Sequence, residues 1–331
     1  MKWLITGGCG FIGSSLINRL VGDESNSIRI VDNLTVGRPE SLIGRKTQTV
    51  AEEDFHSLEW SNDLIQICKQ DICNADDAVK IAAGADIIVH LAANTGVPQS
   101  VENPHKDCVT NVLGTLNYLE AARHCDVKKF IFASSGAPVG EVEPPIHEEI
   151  VPHPVSPYGA SKLAGEAYCS VYYNCYGVET TALRFGNVYG PGSLHKMSVV
   201  AKFLNSIVRE EEVTIYGDGS QTRDFIYIDD LIDAIKASSV KSGIGGEVFQ
   251  IATSREVTVN EIVDNLFEAA VAQGLKKPTL SYSSPRQGDV ARNYSDTSKA
   301  KKYLNWEAKF DLKDGLRQTV SWFLKNSNIA S

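Results

Sequence analysis

The stretch Leu4-Ile-Thr-Gly-Gly-Cys-Gly-Phe-Ile-Gly13 decides the fold of this chain. It begins as an apolar strand, passes through glycines at positions 7, 10 and 13, and opens a helical pattern over residues 11–21. Small residues let the backbone approach a pyrophosphate closely, and the amino end of a helix favours its negative charge. The stretch therefore predicts a strand–turn–helix unit that holds a dinucleotide at Gly7, Gly10 and Gly13.

Strand-like and helical segments continue to alternate after this unit. Short apolar runs at residues 28–31, 86–91 and 129–133 are typical of buried parallel strands, and residues 104–125 have a helical pattern. This alternation predicts the α/β class, with a Rossmann-type doubly wound parallel sheet. We interpret the polar residues 45–60 as an irregular peripheral insertion.

The pattern changes near residue 187, where Gly, Pro and short mixed elements take over. We expect a smaller mixed α/β lobe that covers the carboxyl edge of the sheet, where ligands bind in such folds. The predicted dinucleotide-binding domain is residues 1–186, with a returning segment at about 223–252. Residues 187–222 and 253–325 form the predicted substrate-binding lobe, which ends in a helix near 312–325.

The bulk composition restricts the partners. The chain has 331 residues, and its net charge of −9 argues against nucleic-acid or anionic-membrane partners. No apolar run approaches the roughly 18 residues of a membrane span, and the amino terminus leads directly into a strand. The seven cysteines lack C-x-x-C spacing, so we expect reduced core residues and a cytoplasmic location. The seven histidines form no metal-ligand pattern, so no metal is expected.

Asp32 ends the second strand, about 20 residues after the glycine turn. A carboxylate there accepts hydrogen bonds from the adenosine ribose and repels a 2′-phosphate, which favours NAD over NADP. The alternative is a residue that merely terminates the strand. Asp71 and Ile72 are candidates for adenine contacts. His90 opens the stretch His90-Leu-Ala-Ala93, which could line the cofactor channel, and we interpret His90 itself as a packed structural residue.

A second motif, Tyr158-Gly-Ala-Ser-Lys162, carries the candidate chemistry. Ser156 and Pro157 suit the start of a helix, so Tyr158 and Lys162 lie one turn apart on one face. A free tyrosine has a pKa near 10, roughly three units too high for a base at neutral pH. Positive charge from Lys162 and an oxidised nicotinamide favours the phenolate, and a serine at 134–135 can share the proton. The alternative is an exposed amphipathic helix with a chance Tyr–Lys pair.

These motifs identify a resemblance that runs nearly end to end. The chain resembles the extended short-chain dehydrogenase/reductases, in particular the nucleotide-sugar 4-epimerases of the UDP-galactose/UDP-N-acetylglucosamine kind. Beyond the two motifs above, the matching segments are His90-Leu-Ala-Ala93, Asn111-Val-Leu-Gly-Thr115, Leu183-Arg-Phe-Gly-Asn-Val-Tyr-Gly-Pro191, Tyr216-Gly-Asp-Gly-Ser-Gln-Thr-Arg-Asp224 and Arg286-Gln-Gly-Asp289.

The resemblance implies a role for each matched position. Ser135, Tyr158 and Lys162 would be catalytic, with Tyr158 as the base and Lys162 on the nicotinamide ribose. The implied contacts of the cofactor NAD are Gly7, Gly10, Phe11, Ile12, Gly13, Asp32, Asn33, Asp71, Ile72, Leu91, Ala92, Ala93, Asn111, Tyr158, Lys162 and Phe185. On the substrate side, the implied contacts are Asn187, Arg223 and Arg286 with the diphosphate, Tyr216 with uracil, Asp289 with the uridine ribose, and Val200 and Asn293, besides Ser135 and Tyr158.

Two departures from the family pattern bear on the reaction. Val139 stands where the family usually has Tyr, and Gly136-Ala137-Pro138 is an unusual loop. The related 4,6-dehydratases need an Asp-Glu pair at positions 136 and 137, and the related decarboxylases a Glu at 137. Gly136 and Ala137 cannot transfer protons, which favours a 4-epimerase. A 4-ketosugar reductase is the second candidate, and a non-catalytic dinucleotide sensor is the third.

The resemblance also bears on assembly and on the sugar. Helices at residues 104–125 and 157–176, the latter with Tyr172, Tyr173 and Tyr176, would form a four-helix bundle across a homodimer. The alternative for these three tyrosines is that they are core residues. The residue four positions after the ribose-binding Asp289 lies beside the C2 substituent of the sugar in the family. Asn293 is small enough for N-acetylated hexoses, so we expect UDP-GlcNAc/UDP-GalNAc besides UDP-glucose/UDP-galactose. Glucuronate is less expected, because no arginine follows Pro191 closely.

Overall fold

A computed structural model describes residues 1–194, 196, 198–285 and 290–326. Its main feature is an eight-stranded sheet in which all neighbours are parallel, with the order β12-β7-β6-β5-β1-β2-β4-β3. The strands are β1 (Lys2–Thr6), β2 (Ser27–Asp32), β3 (Lys46–Val50), β4 (Leu64–Lys69), β5 (Ile87–His90), β6 (Lys129–Ser135), β7 (Thr180–Phe185) and β12 (Glu247–Ile251). The strand order reverses between β1 and β5, which is where doubly wound sheets bind ligands.

Helices cover both faces of this sheet and create two apolar cores. The α-helices of the described residues are α1 (Phe11–Leu20), α2 (Ala75–Ala82), α3 (Val97–Glu102), α4 (Pro104–Cys108), α5 (Gly114–His124), α6 (Pro157–Tyr176), α7 (Val199–Val208), α8 (Ile228–Val240), α9 (Val259–Ala272), α10 (Ser298–Leu304) and α11 (Leu312–Asn326). One core lies under α1 and α8, the other under α2, α5 and α6. The central strands are buried on both faces, as their apolar runs predicted. The predicted α/β fold is confirmed.

The interpretation of residues 45–60 as irregular was wrong for most of that stretch. Strand β3 extends the sheet at its edge beside β4, and a 3₁₀ helix follows at Glu52–Ser57. Four of the five residues of β3 are exposed, which explains the polar sequence. The buried Arg29 holds this region, since its guanidinium stacks 4.0 Å from the Trp60 ring and donates to the carbonyls of Leu58 and Ile81.

The carboxyl-terminal part contains three two-stranded sheets. They pair β8 (Asn187–Tyr189) with β11 (Phe225–Tyr227), β9 (Val213–Tyr216) with β14 (Leu280–Ser283), and β10 (Thr222–Arg223) with β13 (Val257–Thr258). The predicted terminal helix is α11. Strand β12 lies in the main sheet beside β7, and the division into domains stays a prediction.

The cysteines are less buried than the sequence predicted. All seven cysteines are free thiols, but only Cys9, Cys68 and Cys169 are buried, while Cys108 and Cys175 are exposed. The expectation that most of them are core residues was therefore too broad. Within the described ranges, no helix has the length and apolar character needed to cross a membrane.

Candidate functional site

In the glycine turn after β1, backbone segments approach each other so closely that Gly7 and Gly13 leave no room for a side chain. Gly7 has φ +68°, and a Cβ atom on it would lie 2.8 Å from the amide nitrogen of Ala92. A Cβ atom on Gly13 would lie 2.4 Å from the carbonyl oxygen of Gly7. Helix α1 begins at Phe11, and its N-cap Gly10 provides no side-chain cap. The amino end of α1 is thus open for an anion.

Polar side chains at the ends of β2 and β4 lie on the same side of the sheet as this turn. The buried carboxylate of Asp32 accepts hydrogen bonds from the backbone amides of Cys9 (3.0 Å) and Leu34 (2.9 Å). Burial raises the pKa of Asp32, and these two bonds oppose the rise. The Asn33 amide donates to the Asp71 carboxylate at 2.9 Å, so these two predicted cofactor contacts lie together. These polar groups at the strand ends, together with the glycine turn, fit a dinucleotide.

His90 is a structural residue, as interpreted from the sequence. Its ring is fully buried between Tyr118 and Phe130, and its nitrogens pair with the hydroxyls of Thr6 (2.9 Å) and Thr115 (3.2 Å). Burial lowers the pKa of His90 to about 3, so the ring is neutral at physiological pH. Leu91, Ala92 and Ala93 follow it and are half-buried along the same sheet edge.

The end of β6 and the start of α6 bring the three predicted catalytic residues together. Ser156 caps α6 by accepting a hydrogen bond from the Gly159 amide (3.1 Å), which positions the first turn. The hydroxyl of Ser135 lies close to the Tyr158 phenol, where it opposes the effect of burial on the pKa of Tyr158, and it accepts a hydrogen bond from the Ala137 amide at 3.2 Å. The Lys162 Nζ atom lies 5.9 Å from the centroid of the Tyr158 ring and donates to the Ala133 carbonyl at 2.9 Å.

The protein residues alone do not lower the pKa of Tyr158, contrary to the expectation for Lys162. Burial raises the pKa of Tyr158 to about 12, the Ser135 hydroxyl opposes the rise, and the negative charge of Asp107 adds to it. Burial also lowers the pKa of Lys162 to about 8, against the opposing charge of Asp107. A further positive charge is therefore needed to make Tyr158 a base at neutral pH.

A buried ion pair beneath this cluster was missed by the sequence analysis. Glu166 lies one turn after Lys162, and its carboxylate accepts from the Arg184 guanidinium at 2.8 and 2.7 Å. Ser134, next to Ser135, donates to the same carboxylate at 2.5 Å. The pair ties α6 to β6 and β7. A charged residue in the apolar strand pattern at residues 180–185 was the available signal.

Asn111 lies in a π turn (Val109–Leu113) between α4 and α5, and its amide is engaged by protein groups. It donates to Asp107 (3.0 Å), to the Ser161 hydroxyl (3.1 Å) and to the Asn94 carbonyl, and it accepts from the Asn94 amide. A direct contact between Asn111 and a cofactor stays a prediction. The burial of Asp107 was not expected from the sequence.

Three of the predicted substrate contacts lie on the short strands. Asn187 on β8 is exposed, Tyr216 ends β9 with 39% exposure, and Arg223 on β10 donates to the carbonyls of Thr222 and Val290. Phe185 ends β7 opposite Ser135. Val200 is 1% exposed and lies in the apolar core, so its contact with the substrate stays a prediction.

Three more predicted residues concern the sugar and the nucleotide. The Asn293 amide nitrogen lies 4.0 Å from the point that a Cβ atom on Gly136 would occupy, so Asn293 faces the unusual loop. Arg286 and Asp289 lie outside the described residues.

Lys196 was not predicted as a site residue. It donates to the Val188 carbonyl at 3.1 Å and lies 5.2 Å from the Phe11 ring centroid.

A parallel sheet with a glycine cradle after β1, an acidic end of β2 and a Ser–Tyr–Lys cluster defines a Rossmann-type dinucleotide enzyme. The profile of the NAD dependent epimerase/dehydratase family matches residues 3–252, and the chain belongs to that family. The predicted family and its dependence on NAD are confirmed.

Individual relatives match over nearly their whole length. The chain is 36% identical to a putative UDP-glucose 4-epimerase of Methanocaldococcus jannaschii, over 98% of this chain and 99% of that one. It is 32% identical to a UDP-glucuronate 4-epimerase of Thermodesulfobacterium geofontis, over 98% and 96%. The crystal structure of Thermotoga maritima UDP-glucose 4-epimerase with UDP-glucose matches with a TM-score of 0.86 and 36% identity, over 99% and 100%. These relatives confirm the predicted enzyme class, the UDP-sugar 4-epimerases.

Proposed function

We propose that this enzyme inverts C4 of a UDP-hexose, with Ser135, Tyr158 and Lys162 as the catalytic residues. The observation that carries the proposal is the meeting of these three side chains at the end of β6 and the start of α6, with Gly136 and Ala137 following Ser135 in the chain. Neither of the latter two can transfer the protons that a dehydratase needs. When bound, NAD⁺ takes up and returns the hydride at C4, and its positive charge favours the phenolate of Tyr158.

The residues of the chain manage the proton and the orientation of the sugar. Tyr158 removes the proton of the C4 hydroxyl, and Ser135 bridges that hydroxyl and the phenol. Lys162 holds the nicotinamide ribose. The 4-keto sugar turns about its diphosphate and presents its other face, after which Tyr158 returns the proton. We assign the cradle of Gly7, Gly10, Phe11, Ile12 and Gly13 to the pyrophosphate of NAD and Asp32 to its adenosine ribose.

The carboxyl-terminal lobe, residues 187–222 and 253–325, is proposed to bind the nucleotide. Asn187, Arg223 and Arg286 would hold the diphosphate, because guanidinium groups pair well with phosphate oxygens. Tyr216 would lie on the uracil ring, and Asp289 would accept the ribose hydroxyls. The exposure of Asn187 and Tyr216 supports these assignments.

The sugar is proposed to include N-acetylated hexoses besides glucose and galactose. Asn293 faces Gly136, and neither residue fills the space beside Ser135 with a large side chain. UDP-glucuronate is the alternative to compare, because a relative is named for it and Lys196 supplies a cation where no arginine was found.

We propose that the enzyme is a homodimer through a bundle formed by α4, the π turn and α5 together with α6. Leu113, Val171 and Tyr176 are exposed apolar residues on these helices. Of the three tyrosines predicted for this interface, Tyr172 is buried and Tyr173 packs on Gly245, so Tyr176 alone is exposed. Light scattering at micromolar concentration tests this assembly, and a monomeric mass would reject it.

The activity is tested by incubating the purified protein with UDP-glucose, UDP-GlcNAc and UDP-glucuronate separately, without added cofactor. The expected result by NMR is the C4 epimer of at least one N-acetylated and one plain hexose. Net formation of a 4-keto-6-deoxy sugar without an epimer would contradict the proposal. Stoichiometric consumption of added NADH with a 4-keto sugar, and no epimerisation, would favour the reductase.

A further inference from the structure

The ammonium group of Lys162 is buried, and its hydrogen-bond acceptor among the described residues is a neutral carbonyl. The residue is 3% exposed, and its Nζ atom donates to the Ala133 carbonyl and lies 4.8 Å from the Phe132 ring centroid. A buried ammonium is costly without a compensating negative charge nearby. The identity of that charge decides over which pH range Lys162 stays protonated.

Glu166 is one of two buried carboxylates that act on Lys162, but its charge is already compensated. Arg184 binds it through two nitrogens at 2.8 and 2.7 Å, and both partners are at most 5% exposed. The other titratable groups around Lys162 carry no negative charge at neutral pH when no cofactor is bound. Burial keeps Cys169 and Tyr158 protonated, and His90 is neutral.

Asp107 is the other buried carboxylate, and it is incompletely paired. The residue is 1% exposed, one of its oxygens accepts from Asn111 at 3.0 Å, and its Oδ2 atom has no hydrogen-bond partner among the described residues. Asn111 also donates to the Ser161 hydroxyl, which in turn donates to the Tyr158 carbonyl at 3.1 Å. Asp107 is thus linked to the turn of α6 that carries Tyr158 and Lys162.

We propose that Asp107 is the counter-charge that keeps the buried Lys162 ammonium protonated, and thereby a positioning residue of the Ser135–Tyr158–Lys162 cluster. The role in catalysis rests on the proposed function, whereas the electrostatic pairing does not. Asp107 is the largest influence that raises the pKa of Lys162 against burial, which lowers it to about 8. Its charge also raises the pKa of Tyr158.

The sign of the effect follows from these two influences. Removing the charge in Asp107→Asn lowers the pKa of Lys162, so the ammonium is lost at a lower pH. The same change lowers the pKa of Tyr158, so the phenolate forms at a lower pH. Both limbs of a bell-shaped profile of kcat against pH therefore move to lower pH together. A merely structural role would reduce kcat at every pH and leave the limbs in place.

The direct test is the titration of Lys162 in the holoenzyme labelled with [¹³Cε]lysine, with Lys162→Met identifying its NMR signal. In Asp107→Asn the midpoint should fall by about one pH unit or more relative to the wild type. Asp107→Glu retains the charge and should restore most of the midpoint. An unchanged midpoint in Asp107→Asn overturns the proposal, whether or not the protein is an epimerase.

The pH profile of epimerisation is the second readout. Asp77→Asn is the matched control, because Asp77 is a buried carboxylate paired with Lys80 on α2, and its profile should equal that of the wild type. Should Asp107→Asn fail to fold, as shown by circular dichroism, Asp107→Ser provides a smaller neutral side chain for both measurements. Limbs that stay in place while the Lys162 midpoint shifts would overturn the positioning role in catalysis.

Discussion

The two sides of the site differ in how firmly their side chains are held. On the cofactor side, Lys162 is 3% exposed and Asp32 is 8% exposed, and both are hydrogen-bonded to the backbone of neighbouring elements. On the substrate side, Tyr216 is 39% exposed at the end of a two-stranded sheet, and Asn187 is also exposed. In the proposed function, this difference assigns the reaction chemistry to buried residues of the main sheet and of α6, and the binding of the substrate to side chains near solvent.

The largest expected effect lies on the buried side. Tyr158→Phe removes the proposed acid/base and should reduce kcat by about 10²–10⁴-fold, with UDP binding retained. Stopped assays with NMR detection measure kcat, and calorimetry measures the binding of UDP. Tyr227→Phe is the control, because it removes a phenol that is hydrogen-bonded to Gln318 in the core. A near-normal rate in Tyr158→Phe would mean that another group is the base.

The buried ion pair beneath the cluster should control stability. Glu166→Gln leaves the Arg184 guanidinium charged and unpaired in the interior, which costs about 3–5 kcal/mol of the free energy of unfolding. Denaturant unfolding of both proteins measures this loss. Glu307→Gln removes an exposed partner of Lys301 and should leave the midpoint unchanged. Equal midpoints for Glu166→Gln and the wild type would show that the pair is not a major support of α6.

Features that depend on neighbouring residues of the chain could be predicted from the sequence, and features that depend on tertiary packing could not. The glycine cradle, α6 and its Ser156 cap depend on residues close together in the chain, so local patterns were sufficient. Strand β3 was missed because an exposed edge strand lacks an apolar pattern. The proximity of Asp107 to Lys162 depends on tertiary packing between α4 and α6. No sequence pattern of either helix alone could indicate it.

The next largest effect is expected for the arginines that are proposed to bind the diphosphate of the substrate. Arg286→Ala and Arg223→Ala should each weaken UDP binding by about 10–100-fold, because each removes a charge-assisted hydrogen bond of about 1.5–3 kcal/mol. Arg286→Ala should have the larger effect, and kcat at saturating substrate should change little. Titration calorimetry with UDP measures the Kd values. Arg317→Ala on α11, which pairs with Asp314 at the surface, should leave them unchanged. Unchanged Kd values in both site variants would remove the diphosphate assignment.

The smallest expected effect concerns the sugar itself. Asn293→Tyr places a large ring toward Gly136, where the Asn293 amide already lies 4.0 Å from the position of a Cβ atom. The ratio of kcat/KM for UDP-GlcNAc over UDP-glucose should fall about tenfold, which is the discrimination typical of a small steric change in a pocket. Gly136→Ala narrows the same space by one methyl group and should lower the ratio less. Competition assays with both substrates measure the ratio directly. A ratio that stays constant in Asn293→Tyr would remove Asn293 from the determinants of sugar specificity, while the assignment as a 4-epimerase would stand, because it depends on the buried residues of the other side.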